Sequence, residues 1–327
     1  MPSSAILEVP TADLREHPAV EAWRRFREAQ AAPRRIFVLK PEKKRSAVYR
    51  MEGLGLGGTA VIAKRSRIDR LATEFLIYQE VLPRLPLPTL YCYGLIEDCK
   101  PGVGWLFLED AGEQRYSAEN EQHRALAGRW LGALHAAVAR RPALSDCLPD
   151  RSLDYYQRIV ALAREAVCEG LTNPAFGAAD LATLGSIRSI CDVVQGHWSE
   201  LEEVCRGVPE TIVHGDFGAK NVRIRTGRTG LELLPLDWDS AGWGLPASDL
   251  SQVDVGTYRS VVGVVLPKLG SNTLGRIASA GRLFLALESI TGEVEPLREQ
   301  WIDNLMRKMR AYQSELNYAL MTLGWTA

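Results

Sequence analysis

The segment His214-Gly215-Asp216-Phe217-Gly218-Ala219-Lys220-Asn221 constrains this chain more than any other, because it is a polar loop inside a short β island. Thr211–Val213 leads into it as an apolar strand and Val222–Ile224 leads out, and the island runs on to Leu236 through a turn at Thr226–Gly230. Around the island, from Ser117 onward, the pattern is helical. Ser117 is placed to cap a helix reaching about Arg141, with Leu126, Trp130, Leu131, Leu134 and Val138 facing inward. Further helices are expected near Leu153–Glu169, Leu181–Cys205, Ser271–Leu287 and Pro296–Leu323. The first third is built differently. A polar helix over Ala12–Ala31, closed by Pro33, precedes extended segments at Arg35–Lys40, Ser46–Glu52 and Thr59–Lys64. A helix over Arg70–Leu82 follows, with Leu71, Phe75, Leu76, Gln79 and Leu82 on its inner side, and then strands at Leu90–Ile96 and Trp105–Leu108. Five strands with one helix, then mostly helices, is the expected order.

Composition narrows the function. A length of 327 residues suits two domains or one two-lobed unit, and 46% hydrophobic with 24% charged residues argues against disorder, collagen and coiled coil. The net charge of −1 lacks the basic footprint of a nucleic-acid binder. Six cysteines (Cys92, Cys99, Cys147, Cys168, Cys191, Cys205) never form C-x-x-C, so a zinc ribbon is not expected and reduced thiols are. MPSSAILEVP has neither the cationic start nor the apolar stretch of a signal peptide, and Val261–Leu269 and Tyr318–Trp325 are too short to span a bilayer. The expectation is a cytoplasmic protein without membrane or nucleic-acid partners, its oligomeric state open.

The loop carries chemistry. It reads H-G-D-x-x-x-x-N, and sixteen residues past Asn221 a strand ends in Leu236-Asp237-Trp238-Asp239. Phosphoryl transfer uses one carboxylate to orient a hydroxyl, with an amide oxygen and a second carboxylate for Mg²⁺. Asp216 and Asp237 could each cap a turn, but the loop and L-D-W-D at hairpin spacing together are far more specific.

These residues, with Pro246-Ala247-Ser248-Asp249-Leu250, resemble the aminoglycoside phosphotransferase and choline kinase superfamily, relatives of the protein kinases, over about Arg35 to Leu250. The resemblance implies an α/β (α+β), two-lobed, protein-kinase-like fold. Its parts would be an N-terminal helical extension (1–33), a nucleotide-binding N-lobe with a five-stranded antiparallel sheet and one helix (34–110), and a mainly helical C-lobe (111–327). It implies ATP and Mg²⁺ as cofactors, Asp216 as catalytic base, Asn221 and Asp237 as metal ligands, and Asp249 as a brace for the loop. His214 would hold the loop by hydrogen bonds. Lys220 either reaches the γ-phosphate or points into solvent.

Val61-Ile62-Ala63-Lys64 resembles the kinase V-A-I-K segment, whose lysine grips the α- and β-phosphates. Glu74, on the following helix, is its expected partner, with Glu80 the competitor. Leu106-Phe107-Leu108-Glu109-Asp110-Ala111-Gly112 resembles the hinge, where backbone groups of Glu109 and Ala111 would pair with adenine. His135 reads as a satisfied core histidine. Gly53-Leu54-Gly55-Leu56-Gly57-Gly58 matches G-x-G-x-x-G, yet a dinucleotide fold needs a helix directly after it and Thr59–Lys64 is strand-like. Gly58 also lies only six residues before Lys64, one strand's length. The glycines therefore belong to a turn between the second and third strands. The phosphate loop falls at Pro41-Glu42-Lys43-Lys44-Arg45-Ser46, which has no glycine; by resemblance Ser46 positions the nucleotide.

The expected activity is transfer of the γ-phosphoryl group of ATP to a hydroxyl of a small molecule. Aminoglycoside-like or other natural-product antibiotics lead the substrates, and metabolic alcohols such as choline, homoserine or a sugar follow. Twelve residues from Asp237 to Asp249 leave no room for a protein kinase's activation segment. A catalytically inactive nucleotide-binding module is the other reading, against which Lys64, Asp216, Asn221 and Asp237 are all in place. Glu165, Glu169, Asp254, Glu288, Glu293 and Glu295 could meet a cationic acceptor or simply be solvated.

Overall fold

The computed structural model describes residues 7–28, 30, 32–43, 46–139, 142–228, 230–265, 270–298 and 303–325. In chain order the first elements are β1 (Leu7–Glu8), α1 (Pro18–Arg27), β2 (Ile36–Lys43), β3 (Ser46–Met51), β4 (Val61–Arg67), α2 (Ile68–Leu76), β5 (Cys92–Glu97) and β6 (Val103–Glu109). Then come α3 (Glu121–Val138), β7 (Asp150–Arg151), α4 (Leu153–Gly170), α5 (Ala178–Gly196), α6 (Trp198–Cys205), β8 (Thr211–Val213), β9 (Val222–Gly227), β10 (Gly230–Pro235) and β11 (Gly242–Gly244). The chain ends with α7 (Ala247–Leu250), α8 (Val255–Val262), α9 (Ser271–Thr291), α10 (Val294–Arg298) and α11 (Asp303–Leu323). No helix of the described residues is long and apolar enough to cross a membrane.

Contacts divide these into two compact units, residues 1–116 with 219–240 and residues 117–218 with 241–327. The first is a six-stranded antiparallel sheet in the order β1-β2-β3-β4-β6-β5. The expected five strands become six because Leu7 and Glu8 pair with Val38 and Phe37. Two exposed residues carry no alternation that could announce them. Helix α1 starts with Pro18 at its first turn, where a missing N–H costs nothing. It buries Val20 and Trp23 on one face of the sheet, in a core with Ile36, Met51, Val61, Ala63 and Phe107. Because side chains alternate along a strand, Ile62 and Lys64 face the opposite side of β4 from Val61 and Ala63. Antiparallel pairing sets Val48 and Leu106 beside Lys64, and Leu108 beside Ile62.

The helix after β4 differs from expectation. It is α-helical only to Leu76, opens into a π-helical turn over Ile77–Val81 and ends in a 3₁₀ turn at Leu82–Arg84. Its buried side is Leu71, Glu74, Ile77, Tyr78, Val81 and Leu82, while Phe75 and Leu76 are half-buried and Gln79 is exposed. The wider turn shifts the inward face away from a regular 3.6-residue count.

The glycine segment connects β3 to β4, as its spacing predicts. Gly53, Gly57 and Gly58 have φ of 88°, 66° and 78°, left-handed values that favour glycine. The turn closes on itself, Gly53 and Gly55 both donating N–H bonds to the Thr59 carbonyl at 3.2 and 2.9 Å. Leu56, 64% exposed, sits at its tip. Leu56→Ser is expected to leave the nucleotide KM within about twofold of the parent, since a local turn carries its role alone; steady-state kinetics at varied nucleotide checks this.

In the second unit, α3 is capped by Asn120, which accepts from the His123 N–H at 3.1 Å, and not by Ser117. Ser117 instead shapes the preceding turn, its hydroxyl accepting from the Glu119 N–H. The expected helix 181–205 is two helices broken at His197, and α7 and α8 were not anticipated. Helix α9 lies so close to α7 that a Cβ on Gly281 would stand 1.7 Å from the Ala247 carbonyl oxygen. Gly281→Ala must separate two backbones, so a loss of about 3 kcal/mol is expected, the upper end for overpacking. Thermal unfolding should show it as a Tm several degrees lower.

Candidate active site

The β9–β10 hairpin of the first unit builds one end of the site. Val222 pairs with Pro235, and the Leu236 N–H donates to the Asn221 carbonyl at 2.9 Å. That closure sets Asn221, just before β9, against Asp237, just after β10. Asp237 has φ of 66°, a conformation that non-glycine residues adopt rarely and aspartate more readily than most. The segment after the hinge joins the same body, Ile224 donating to the Gln114 carbonyl and Tyr116 to the Val222 carbonyl.

A cavity of about 390 Å³ lies within this unit, a size suited to a small ligand. Its apolar walls are Leu39, Val48, Ile62, Leu90, Leu108 and Leu236, and Glu109, Asp110, Ala111 and Gly112 border it. Lys64, Glu74, Asn221 and Asp237 line it too, so four sequence-predicted site residues share one cavity with the two of the hinge.

Lys64 Nζ lies 2.6 Å from Glu74 Oε2 and forms a second ion pair with Asp237. Glu74 is completely buried, and Glu80 is instead exposed and paired with Arg84, which settles the partner. Burial disfavours the Lys64 ammonium, but Glu74, Asp237 and Asp239 outweigh it and hold its pKa above the ordinary lysine value. Burial pushes the Glu74 carboxyl up to about 7 against the pull of Lys64, with Asp237 and Asp239 adding repulsion. Asp239 is also raised, by burial and then by Asp237; Arg70 stands 3.7 Å from it. Sequence reasoning gave Asp239 no role, although it lies two residues beyond Asp237.

At the hinge, Glu109 is tied down on both sides of its side chain, Oε1 accepting from Arg225 at 2.6 Å and Oε2 from the Tyr91 N–H at 3.0 Å. Its own N–H donates to the Tyr91 carbonyl. Ala111 is buried. Lys220 is exposed and also lines the cavity, as do Lys40 and Arg223, which sequence reasoning missed because a charged residue on a strand carries no signal of facing a ligand. Ser46 opens β3, half-buried, and does not line the cavity. Of the expected phosphate loop, Pro41–Lys43 belong to β2, and Lys44 and Arg45 lie outside the described residues.

Asp216 belongs to the second unit, half-buried after β8. Its N–H donates to His214 Nδ1 at 3.3 Å, and the His214 and Gly215 N–H groups donate to the two oxygens of Asp249 at 2.7 and 3.0 Å. Burial raises Asp249 to about 7 despite these bonds. His135 is a core histidine, its Nδ1 2.9 Å from the Tyr258 hydroxyl and its pKa lowered to about 3 by burial.

The sequence profile of the phosphotransferase enzyme family APH matches residues 41–257. No curated protein sequence matches the chain. Among solved structures it is similar to the GDP and kanamycin complex of APH(2")-IIia, with a TM-score of 0.62 and 15% identity over 88% of this chain and 95% of that one. It is similar to choline kinase from Cryptosporidium parvum Iowa II, with a TM-score of 0.57 and 11% identity over 88% and 91%. A third is spectinomycin phosphotransferase APH(9)-Ia in complex with ADP and spectinomycin, with a TM-score of 0.58 and 11% identity over 89% and 93%. At such identities the likeness is one of fold.

Proposed function

The chain belongs to the APH phosphotransferase enzyme family, and from that premise we propose that it is an ATP-dependent phosphotransferase whose acceptor is a hydroxyl of an aminoglycoside-like or other natural-product antibiotic. The observation that carries the chemical reading is Lys64, held by Glu74 and Asp237 in a cavity that also contains Asn221 and the hinge. In this reading Lys64 grips the α- and β-phosphates, and backbone groups at Glu109 and Ala111 meet the adenine. The aliphatic walls sandwich the base. Asp216 orients the acceptor hydroxyl and takes its proton, while Asp249, through the His214 and Gly215 amides, keeps the loop in shape. Such catalysis is mainly positioning and charge stabilisation.

The residues present fit a divalent cation. Three carboxylates, Glu74, Asp237 and Asp239, outnumber Lys64, and the buried Asn221 amide lies in the same cavity as Asp237. Mg²⁺ is commonly bound by one or two carboxylates together with substrate phosphate oxygens. Asn221 and Asp237 would hold it, and bound there it would neutralise developing phosphate charge.

The likeness to choline kinase keeps a metabolic alcohol as the second reading of the acceptor. A coupled ADP-release assay over a panel of hydroxylated antibiotics and metabolic alcohols separates the two. Turnover on antibiotics supports the first; turnover confined to choline, homoserine or sugars overturns it in favour of the second. Nucleotide binding without turnover on any of them leaves the inactive module.

A further inference from the structure

Two buried oxygens on the helix that carries Glu74 have no hydrogen-bond partner among the described residues: Glu74 Oε1 and the Tyr78 hydroxyl. Glu74 is fully buried and Tyr78 only 3% exposed, so bulk water satisfies neither. A buried polar group left unpaired bears the full desolvation penalty, and a carboxylate oxygen bears more than a neutral one. Four residues apart, the two lie one helical turn from each other. The π-helical turn over Ile77–Val81 begins between them, a distortion that often accompanies functional positions.

The two groups are chemically complementary but do not bond directly. Burial first, and then the nearby Glu74 and Asp237 carboxylates, keep the Tyr78 phenol protonated and therefore a donor. Above its pKa of about 7, paired with the Lys64 ammonium, the Glu74 carboxylate can only accept. A molecule that accepts from one and donates to the other satisfies both, and buried water commonly plays that part between otherwise unpaired polar groups.

We infer that Tyr78 is a positioning residue for the Lys64–Glu74 pair, acting through one buried water that accepts from the Tyr78 hydroxyl and donates to Glu74 Oε1. With Oε1 anchored, the carboxylate cannot turn, and Oε2 stays aimed at Lys64 Nζ, 2.6 Å away. The consequence for nucleotide binding rests on the proposed role of Lys64; the water itself does not.

Tyr78→Phe in the full chain removes one oxygen and nothing else. Calorimetric titration with Mg·ATP should show affinity about five- to tenfold weaker, the worth of one hydrogen bond. In a Glu74→Gln background the same substitution should change affinity by less than about twofold, because the path runs through Glu74. A hydroxyl that is merely unpaired predicts the opposite: Tyr78→Phe raises the Tm and leaves affinity unchanged, and that overturns the inference. Equal losses in both backgrounds overturn it too. A high-resolution crystal structure should place one water within hydrogen-bond distance of both oxygens; no density there, or a cation recognised by its coordination, contradicts it. If the chain phosphorylates no acceptor, the proposed function fails, while the water density and the Tm still decide this inference.

Discussion

Asp216→Asn should bind nucleotide within about twofold of the parent and lose about 10²–10⁴ in kcat, the range a positioned general base contributes. The amide is nearly isosteric, and the bond to His214 Nδ1 is donated by the Asp216 backbone N–H, which the substitution leaves in place. The brace is also untouched, since Asp249 binds the His214 and Gly215 amides. What disappears is an anionic oxygen needed only when the acceptor hydroxyl gives up its proton. Loss confined to kcat, with nucleotide affinity kept, marks a group used in the transition state. Single-turnover kinetics beside equilibrium nucleotide binding measures both, and near-parental kcat would remove Asp216 from the role of base.

Asp237→Ala should abolish the gain in nucleotide affinity that Mg²⁺ confers. The carboxylate does two things here: it lines the cavity with Asn221, and it pairs with Lys64. Removing it deletes one metal-binding oxygen donor and also frees Lys64 from a competitor for phosphate. Metal-free nucleotide affinity should therefore hold or rise while the metal-dependent increment vanishes. A damaged fold would lower both. Titrations with and without Mg²⁺ separate the outcomes, and a variant that responds to Mg²⁺ as the parent does places the metal elsewhere.

Much of this site was legible in the sequence because its parts are tied to strand ends. Lys64 closes an apolar strand segment, and Asn221 and Asp237 flank a hairpin whose length is readable from its turn residues. The glycine segment could be set aside by counting, since six residues is one strand, and the structure places it between β3 and β4. Glu74 was identified on charge and spacing while the inner face around it was misjudged. Regular helical spacing favoured Phe75 and Gln79, but the π-helical turn turned Tyr78 inward, and nothing in a residue pattern announces an i→i+5 turn. The sixth strand was invisible because Leu7 and Glu8 are both exposed. The Asn120 cap reflects competition with nearby Ser117 that propensity alone does not rank, and the break at His197 has no signal in the residue pattern. The acceptor was least legible, because helices recognise small molecules through scattered side chains and leave no spaced motif.

A crystal structure of the full chain with Mg²⁺ and a non-hydrolysable ATP analogue tests the central claim most directly. Expected there are α- or β-phosphate oxygens within hydrogen-bond distance of Lys64 Nζ, the metal on Asn221 and Asp237, and the adenine edge on backbone groups of Glu109 and Ala111. Phosphate oxygens bound instead to the Gly55 or Gly57 amides, with Lys64 still paired only to carboxylates, would contradict it.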